Sequence, residues 1–251
     1  MTTAAIIQAR MNSTRLPGKV MIQVLGKRIL QWMIDRVKQA KCLDKIIVAT
    51  TAKSQKIIDY CRDNEIDFFV GSEEDVMQRV IDCATFYNID TIVDLTSDCP
   101  LLDPLQIDKL HEIYKCYMNK VHILYDVHVS NINPRSWFDG ADIQIYNTEV
   151  LKEINKRVTG SFRQHTGWNL IRLEPKYTIF KNLAAEGTYN WPGLRLTLDY
   201  EEDFIVIKTI IEHFDSINKF KIATAEEIID FVIDNTQILV NRILKSKSPG
   251  E

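Results

Sequence analysis

The sequence is poor in the residues that mark several common classes of protein. Its 251 residues include nine glycines and seven prolines, too few for a collagen-like or low-complexity chain. Its five cysteines are scattered and none forms a C-x-x-C pair, which argues against a disulfide framework and a zinc ribbon. No apolar run approaches the about 20 residues that span a bilayer, and the first residues lack a basic signal-peptide region. We therefore expect a cytoplasmic protein without a membrane segment.

The charge of the chain excludes one more class. The 31 lysines and arginines are outnumbered by 34 aspartates and glutamates, so the net charge is −3. A globally basic nucleic-acid binder is therefore excluded, although a local cationic pocket is not. With 45% hydrophobic and 26% charged residues, the composition is typical of a globular protein of one or two domains.

The first half of the chain alternates between short apolar runs and apolar residues at helical spacing. The apolar runs are too continuous for half-exposed strands and indicate strands buried on both faces; they cover residues 4–7, 46–49, 68–70 and 92–95. Helical patterns lie between them, including one over 73–86 with Ser72 as its N-cap. This alternation predicts an α/β fold with a doubly wound, mostly parallel sheet flanked by helices, which binds ligands at the carboxyl ends of its strands.

The second half is less regular and predicts an antiparallel α+β insertion within the same domain. Alternating patterns predict antiparallel strands over 122–129 and 141–146. Further segments are predicted as helices over 149–158, 161–172, 201–214 and 225–233, with Thr224 capping the last, and as extended over 177–180 and 194–198. Trp137 and Phe138 are interpreted as exposed aromatic residues at a subunit contact.

The loop after the first strand carries the strongest chemical signal. It combines the cations Arg10, Arg15 and Lys19 with two hydroxyls and a Pro-Gly turn. Guanidinium groups, an ammonium and loop amides together can neutralise and cradle phosphates, although a merely solvated basic loop is the alternative. The loop contains neither G-x-x-x-x-G-K-[ST] nor G-x-G-x-x-G, so a P-loop NTPase and a nicotinamide-dependent dehydrogenase lose support.

Two aspartates follow predicted extended segments. Asp98 comes after the fourth strand and Asp199 after residues 194–198. Carboxylates at a sheet edge are suitable ligands for Mg²⁺, which prefers oxygen donors. The alternatives are structural, because Asp98 could shape the turn before Pro100 and Asp199 could cap the following helix.

A resemblance to a known family links these features. Residues 10–19 read R-x-x-S-T-R-L-P-G-K, which resembles the nucleotide-binding loop of bacterial sugar cytidylyltransferases. The chain resembles the CMP-KDO synthetases and the SpsF-like enzymes of spore-coat polysaccharide synthesis. Further segments resemble the SpsF-like pattern in the same order, and they lie at 48–51, 71–79, 97–104, 138–144 and 198–203. A collinear set of this kind, over roughly residues 4–214, is more specific than any one motif.

The resemblance implies a Mg²⁺-dependent enzyme with a Rossmann-like nucleotidyltransferase fold. It would transfer CMP from CTP to an acidic sugar or similar small acceptor and release pyrophosphate, for surface polysaccharide synthesis. It implies a single domain, with a nucleotide-binding half over 1–120, an acceptor-binding and dimerisation part over 121–200 and C-terminal helices over 201–251. The expected partners are CTP, the acceptor and a second copy of the chain, without nucleic acid or membrane.

The resemblance also assigns residues. Arg15, Lys19, Asp98 and Asp199 are the implied catalytic residues, and the two aspartates are the implied Mg²⁺ ligands. Implied nucleotide contacts are Ala9, Arg10, Ser13, Thr14, Arg15, Lys19, Gly71, Ser72, Arg79 and Ser97, and implied acceptor contacts are Asp142, Arg163 and His165. The sequence departs from the family pattern at Ser97, where Gly is usual, and at Gln144 and Gln164, where Glu is usual. The loss of two negative charges on the acceptor side favours an anionic acceptor.

Three other functions stay open at this point. His122, Asp126 and His128 share one face of a predicted strand and could hold Zn²⁺ or Fe²⁺, although a solvated face or subunit contact explains them as well. A glycosyltransferase can share this type of sheet, but the usual D-x-D signature is missing at Asp98. A non-catalytic nucleotide binder would have less need of two carboxylates.

Overall fold

The computed structural model describes residues 1–119, 126–173 and 178–241. The strands are β1 (Thr3–Gln8), β2 (Gln23–Val24), β3 (Lys27–Arg28), β4 (Lys45–Thr51), β5 (Asp67–Gly71), β6 (Thr91–Thr96), β7 (Asp126–Ser130), β8 (Gln144–Asn147) and β9 (Thr178–Asn182). The helices are α1 (Ile29–Val37), α2 (Gln55–Asp63), α3 (Val76–Phe86), α4 (Pro104–Met118), α5 (Thr148–Asn155), α6 (Thr166–Leu173), α7 (Glu201–Ser216) and α8 (Ala225–Asp234). No helix within those ranges has the length and apolarity to cross a membrane.

A seven-stranded mixed sheet organises the fold. Its strand order is β5-β4-β1-β6-β8-β7-β9. The pairs joining β5, β4, β1 and β6 are parallel, β8 pairs antiparallel with both β6 and β7, and β7 pairs parallel with β9. The prediction of a mostly parallel sheet with helices, extended by antiparallel pairing in the second half, is confirmed. Strands β2 and β3 form a separate two-stranded hairpin.

The central strands are apolar throughout because helices cover both faces of the sheet. Ala5 and Ile7 of β1 belong to a hydrophobic cluster that includes residues of α1 and α4, whereas Ala4 and Ile6 belong to another that includes residues of α3 and α5. All four side chains are fully buried. Burial of each isoleucine contributes about 2 kcal/mol, so these strands hold the carboxyl edge of the sheet in place.

The C-terminal helices pack on the first half of the chain through a third apolar cluster. Residues of α7 and α8 share it with Trp32 and with the loop around position 137. The interpretation of Trp137 and Phe138 as exposed is wrong, because they are 6% and 0% exposed. The Trp137 indole N–H instead donates to the Leu183 carbonyl at 3.0 Å.

Several predicted element boundaries are corrected. Helix α3 begins at Val76 and is capped by Asp75, whose carboxylate accepts from the Gln78 amide at 2.9 Å, while Ser72 accepts from the Asp75 amide one turn earlier. The predicted helix over 161–172 is a short 3₁₀ turn followed by α6, since His165 between them is extended. Residues 194–198, predicted as extended, are buried but do not form a named strand. Arg195 forms an isolated bridge with Asp139, and the Leu198 amide donates to the Asp98 carbonyl at 2.8 Å.

The alternative metal site on one strand face has no support in the described residues. His122 lies outside the described residues. His128 is 1% exposed and packs edge-on against the rings of Tyr146 and Phe180. Burial lowers its pKa to about 4, so the imidazole is neutral within the sheet.

Gly140 allows the loop before β8 to lie directly on residues 194–198. Its φ is +116°, and a Cβ there would lie 2.6 Å from the carbonyl carbon and oxygen of Leu196. We expect Gly140→Ala to lower the free energy of unfolding by about 1–3 kcal/mol through backbone strain alone. Gly193→Ala is the matched control, because no atom lies within 4 Å of its added Cβ. Urea unfolding measures both variants, and equal stability would contradict this packing.

Candidate active site

A cleft of about 490 Å³ opens at the carboxyl ends of β1 and β6. Most residues assigned from the sequence line it; these are Ala9, Arg10, Ser13, Thr14, Arg15, Lys19, Arg79, Ser97, Asp98, Asp142, His165 and Asp199. Gly71, Ser72 and Arg163 lie outside its lining. The structure therefore brings together the cationic loop, the two aspartates and most residues assigned to the acceptor side.

The cationic loop is closed by its own backbone. The Met11 carbonyl accepts from the amides of Ser13 and Gly18, both at 3.0 Å, and the Met11 amide donates to Ser54 Oγ. Gly18 has a φ of +70°, a left-handed conformation that favours glycine. The chain then turns into a short 3₁₀ segment that begins at Lys19, whose side chain is 10% exposed.

Lys19 lies between the two candidate metal ligands. Its Nζ donates to Asp98 Oδ2 and to Asp199 Oδ1, each at 3.0 Å, and to the Leu198 carbonyl at 2.7 Å. Burial alone would lower the pKa of Lys19, but the two carboxylates more than offset it and raise the pKa. Burial would likewise raise the pKa of Asp98, but Lys19 holds this pKa below its ordinary value. All three groups are therefore charged near neutral pH.

Asp199 is held by three cations. Besides Lys19, Arg15 contacts Asp199 Oδ1 at 2.6 Å and Arg195 donates to Oδ2 at 3.1 Å. Burial would raise the pKa of Asp199, but Lys19 and Arg15 keep it well below its usual range. Asp199 does not cap helix α7, contrary to the structural alternative, because the N-cap is Tyr200.

A second acidic residue of α7 fixes this arrangement. Asp203 accepts hydrogen bonds from the backbone amides of Asp199 and Tyr200, at 2.9 and 3.0 Å. It also pairs side-on with Arg195, at 2.9 and 3.0 Å. The Asn241 side chain donates to both Asp203 and the Arg195 carbonyl. The orientation of Asp199 is thus set through its backbone and its side chain together.

The ion pairs continue to the far side of the cleft. Arg195 reaches Asp139 at 3.3 Å, and Arg135 lies 3.6 Å from the other oxygen of Asp139. Arg135 donates two hydrogen bonds to the Asp142 carboxylate, of 2.6 and 2.8 Å. Burial and the nearby Asp142 charge raise the pKa of Asp139 to about 6, although both arginines lower it. A chain of alternating charges therefore joins the Asp199 end of the cleft to the Asp142 end.

Asp94 forms a different kind of acidic site on the cleft floor. It accepts hydrogen bonds from Gln8, from the Tyr146 hydroxyl at 2.7 Å and from Thr166. Burial raises its pKa despite these donors. Because Thr166 opens α6 and Gln8 ends β1, Asp94 ties the helix after His165 to the strand before the cationic loop.

The assigned residues outside the cleft support others inside it. The Ser72 backbone carbonyl accepts from Arg79 Nη1 at 2.6 Å, and a Cβ on Gly71 would lie 2.8 Å from Cγ of the same arginine. Burial, and then the charge of Arg10, lower the pKa of Arg79. Arg163 pairs with Asp75 at 2.6 Å and donates to Asn155, so it links α3 to α5.

Sequence reasoning missed several polar residues of the cleft lining, among them Gln8, Asp94, Arg135 and Asp139. It also missed Arg195, which lies outside the lining and pairs with Asp199. A signal existed for Asp94, because an aspartate inside an otherwise apolar buried strand requires partners. A weaker signal existed for Arg195, because an arginine four residues before Asp199 is close enough in sequence to pair with that carboxylate. Nothing local marks Arg135, whose pairing with Asp142 depends on how the loop before β8 folds.

The donor set of Asp98 and Asp199 fits a hard cation. Their oxygens, with the Leu198 carbonyl, already converge on one positive charge, the Lys19 ammonium. Within the described ranges, no group of three or more His, Cys, Asp and Glu side chains could hold a metal. Two carboxylates alone suit an ion such as Mg²⁺ that keeps water or phosphate oxygens in its remaining positions.

A polar cleft at the carboxyl ends of parallel strands, with a cationic loop on one wall, defines a nucleotide-binding type of α/β protein. The chain belongs to the cytidylyltransferase family, which it matches over residues 4–172. The spore coat polysaccharide biosynthesis protein SpsF of Bacillus subtilis is 28% identical over 219 residues, or 82% of this chain and 85% of that protein. A cytidylyltransferase structure from Leptospira borgpetersenii is 30% identical and has a TM-score of 0.85, covering 96% of this chain and 98% of its own.

More distant structures share the fold alone. A CMP-2-keto-3-deoxy-manno-octonic acid synthetase in complex with CTP is 14% identical, with a TM-score of 0.62 over 85% of this chain and 99% of its own. A manganese complex from Mycobacterium tuberculosis is 13% identical, with a TM-score of 0.55 over 81% of this chain and 96% of its own. These matches confirm the expected Rossmann-like architecture of a cytidylyltransferase.

The raised pKa of Asp139 predicts a pH-dependent stability. A carboxyl group with a pKa of about 6 in the folded protein and an ordinary pKa when unfolded contributes stability below about pH 4, which is lost as the pH rises through 6. We therefore expect the free energy of unfolding of Asp139→Asn, relative to that of the wild type, to rise by up to about 3 kcal/mol from pH 4 to pH 7. Urea unfolding at both pH values measures this difference. The exposed Asp63→Asn is the control, and a difference that is constant with pH would contradict the assignment.

Proposed function

We propose that the protein transfers CMP from CTP to a hydroxyl group of an acidic sugar or similar small acceptor and releases pyrophosphate. The observation that carries this proposal is the convergence of Arg15, Lys19, Asp98 and Asp199 in one cleft of a cytidylyltransferase-family fold. The CTP complex of a structure with the same fold, and a relative that acts in spore-coat polysaccharide biosynthesis, support CTP as donor and a surface polysaccharide as destination.

The residues of the chain have distinct tasks in this reaction. The acceptor hydroxyl oxygen attacks the α-phosphorus of CTP and loses its proton to solvent. The bond between the α-phosphorus and the oxygen that bridges it to the β-phosphorus breaks, and pyrophosphate leaves with that oxygen. Arg10, Arg15 and Lys19 line the cleft on the triphosphate side and stabilise the negative charge that develops on departing pyrophosphate. Ala9, Ser13, Thr14, Arg79 and Ser97 line the same cleft and complete the nucleotide contacts in this proposal, while Gly71 and Ser72 support Arg79 from outside it.

Asp98 and Asp199 are the proposed ligands of a divalent ion, Mg²⁺ in the cell. The ion would supply positive charge to the phosphate oxygens and stabilise the charge that develops as the bond to pyrophosphate breaks. Asp98 is suited to this role because its side chain is 30% exposed and lines the cleft. Asp199, at 6% exposure, is fixed by Arg195 and Asp203 behind it. The manganese complex of a structure with the same fold supports a divalent ion here.

The acceptor is proposed to lie at the opposite end of the cleft, near Asp142 and His165. Gln144 and Gln164 also line this end and offer neutral amides where carboxylates would repel an anion. Arg163 contributes indirectly, since it holds the segment before His165 against Asp75.

We also propose that the chain assembles into a homodimer. A monomeric mass in light scattering would contradict this assembly.

Replacement of Asp98 tests the proposed reaction. We expect Asp98→Asn to lower the rate of pyrophosphate release from CTP and 3-deoxy-manno-octulosonate by at least about 100-fold, because a neutral amide cannot hold the divalent ion. The fold should persist, since the amide is nearly isosteric and Lys19 keeps Asp199 as a partner.

The exposed Asp63→Asn is the matched control for the loss of one negative charge, and circular dichroism checks that both variants are folded. Full pyrophosphate release by a folded Asp98→Asn enzyme would remove Asp98 from the reaction. Release of a nucleoside diphosphate from a sugar nucleotide, without turnover of CTP, would instead indicate a glycosyltransferase.

A further inference from the structure

Lys19 occupies a position that three oxygen atoms define. Its Nζ lies 3.0 Å from Asp98 Oδ2, 3.0 Å from Asp199 Oδ1 and 2.7 Å from the Leu198 carbonyl. All three are of the oxygen type that a hard divalent ion uses. The ammonium therefore fills the point at which the two proposed metal ligands converge.

The charges around that point are balanced without any bound ion. The two carboxylates Asp98 and Asp199 face the two cations Lys19 and Arg15. The third cation, Arg195, is shared by Asp203 and Asp139, which lie on the side away from Lys19. A divalent ion added beside Lys19 and Arg15 would leave an excess of positive charge at the Asp98–Asp199 pair in a half-buried cleft, which is unfavourable unless an anion such as a triphosphate arrives with it.

We propose that Lys19 and the divalent ion use the Asp98–Asp199 pair alternately. Lys19 holds the two carboxylates together in the free protein and thereby excludes the ion. The triphosphate draws the ammonium toward its own oxygens, and the vacated carboxylates then accept the ion that accompanies the nucleotide. This inference rests on the proposed function and adds a binding order to it, in which a stable metal site forms with the nucleotide and not before.

The cations around Asp199 differ in their freedom to move. Lysine carries a compact charge on a flexible stem, whereas the planar guanidinium of arginine is held by its fork geometry. Arg195 is 3% exposed and fixed by Asp203, and Arg15 lies against the Tyr200 ring, 5.3 Å from its centroid. Lys19 can therefore leave while the two arginines keep Asp199 in place.

A Mn²⁺ titration without nucleotide, followed by electron paramagnetic resonance, tests the exchange. We expect Lys19→Met to bind Mn²⁺ at least about tenfold more tightly than the wild type, because its two carboxylates lose a competing charge. The exposed Lys45→Met removes the same charge far from the cleft and should bind Mn²⁺ as the wild type does. Adding Asp98→Asn to Lys19→Met should abolish the gain, which would locate the bound Mn²⁺ at the carboxylate pair.

A second Lys19 variant and a titration with CTP complete the test. Lys19→Gln retains a hydrogen-bond donor for the carboxylates and carries the same expectation if Lys19→Met does not fold. Titration of the wild type with CTP present should show tighter Mn²⁺ binding than without it. Unchanged or weaker Mn²⁺ binding by the Lys19 variants overturns the exchange, even where CTP tightens Mn²⁺ binding and the proposed function stands. Tighter Mn²⁺ binding by the variants, with no effect of CTP on Mn²⁺ binding by the wild type, would also overturn the exchange. It would show that Lys19 competes with the ion but that the nucleotide does not displace Lys19.

Discussion

The site depends on the pairing of two carboxylates, the half-buried Asp98 and the buried Asp199, by one lysine. Asp98 and Asp199 come from distant parts of the chain, and without a cation between them their charges would repel in a medium of low dielectric constant. Lys19 joins them at 3.0 Å on each side. The loop after β1, the turn after β6 and the segment before α7 are thus connected at a single ammonium group.

The surroundings of this lysine fix the position of its partner Asp199. Asp203 and Arg195 fix Asp199 from behind, and Gly140 lets the neighbouring loop pack on the segment that carries it. The ion pairs continue through Asp139 to Arg135 at the acceptor end. The two ends of the cleft therefore share one electrostatic network, to which Lys19 belongs.

The sequence was sufficient for the parts of the fold that depend on local pattern. The apolar runs and intervening helices predicted the parallel sheet, and the sheet placed the cationic loop and Asp98 at one edge. The predicted boundaries that were wrong depend on side-chain hydrogen bonds. Helix α3, for example, is capped by Asp75 and not by Ser72. Trp137 and Phe138 were misjudged because C-terminal helices that cover them lie far along the chain. Arg135 and Arg195 were missed for a different reason. Their partners Asp142 and Asp199 are close in sequence, but the pairings depend on how the intervening loops fold.

Calorimetric titration of the wild type with CTP, UTP, ATP and GTP in the presence of Mg²⁺ tests whether the cleft selects CTP. We expect the protein to bind CTP in clear preference to the other three nucleotides and to keep this selectivity when Mn²⁺ replaces Mg²⁺. Equal binding of all four, or binding of none, would contradict it. The absence of binding would favour a finished sugar nucleotide as the donor.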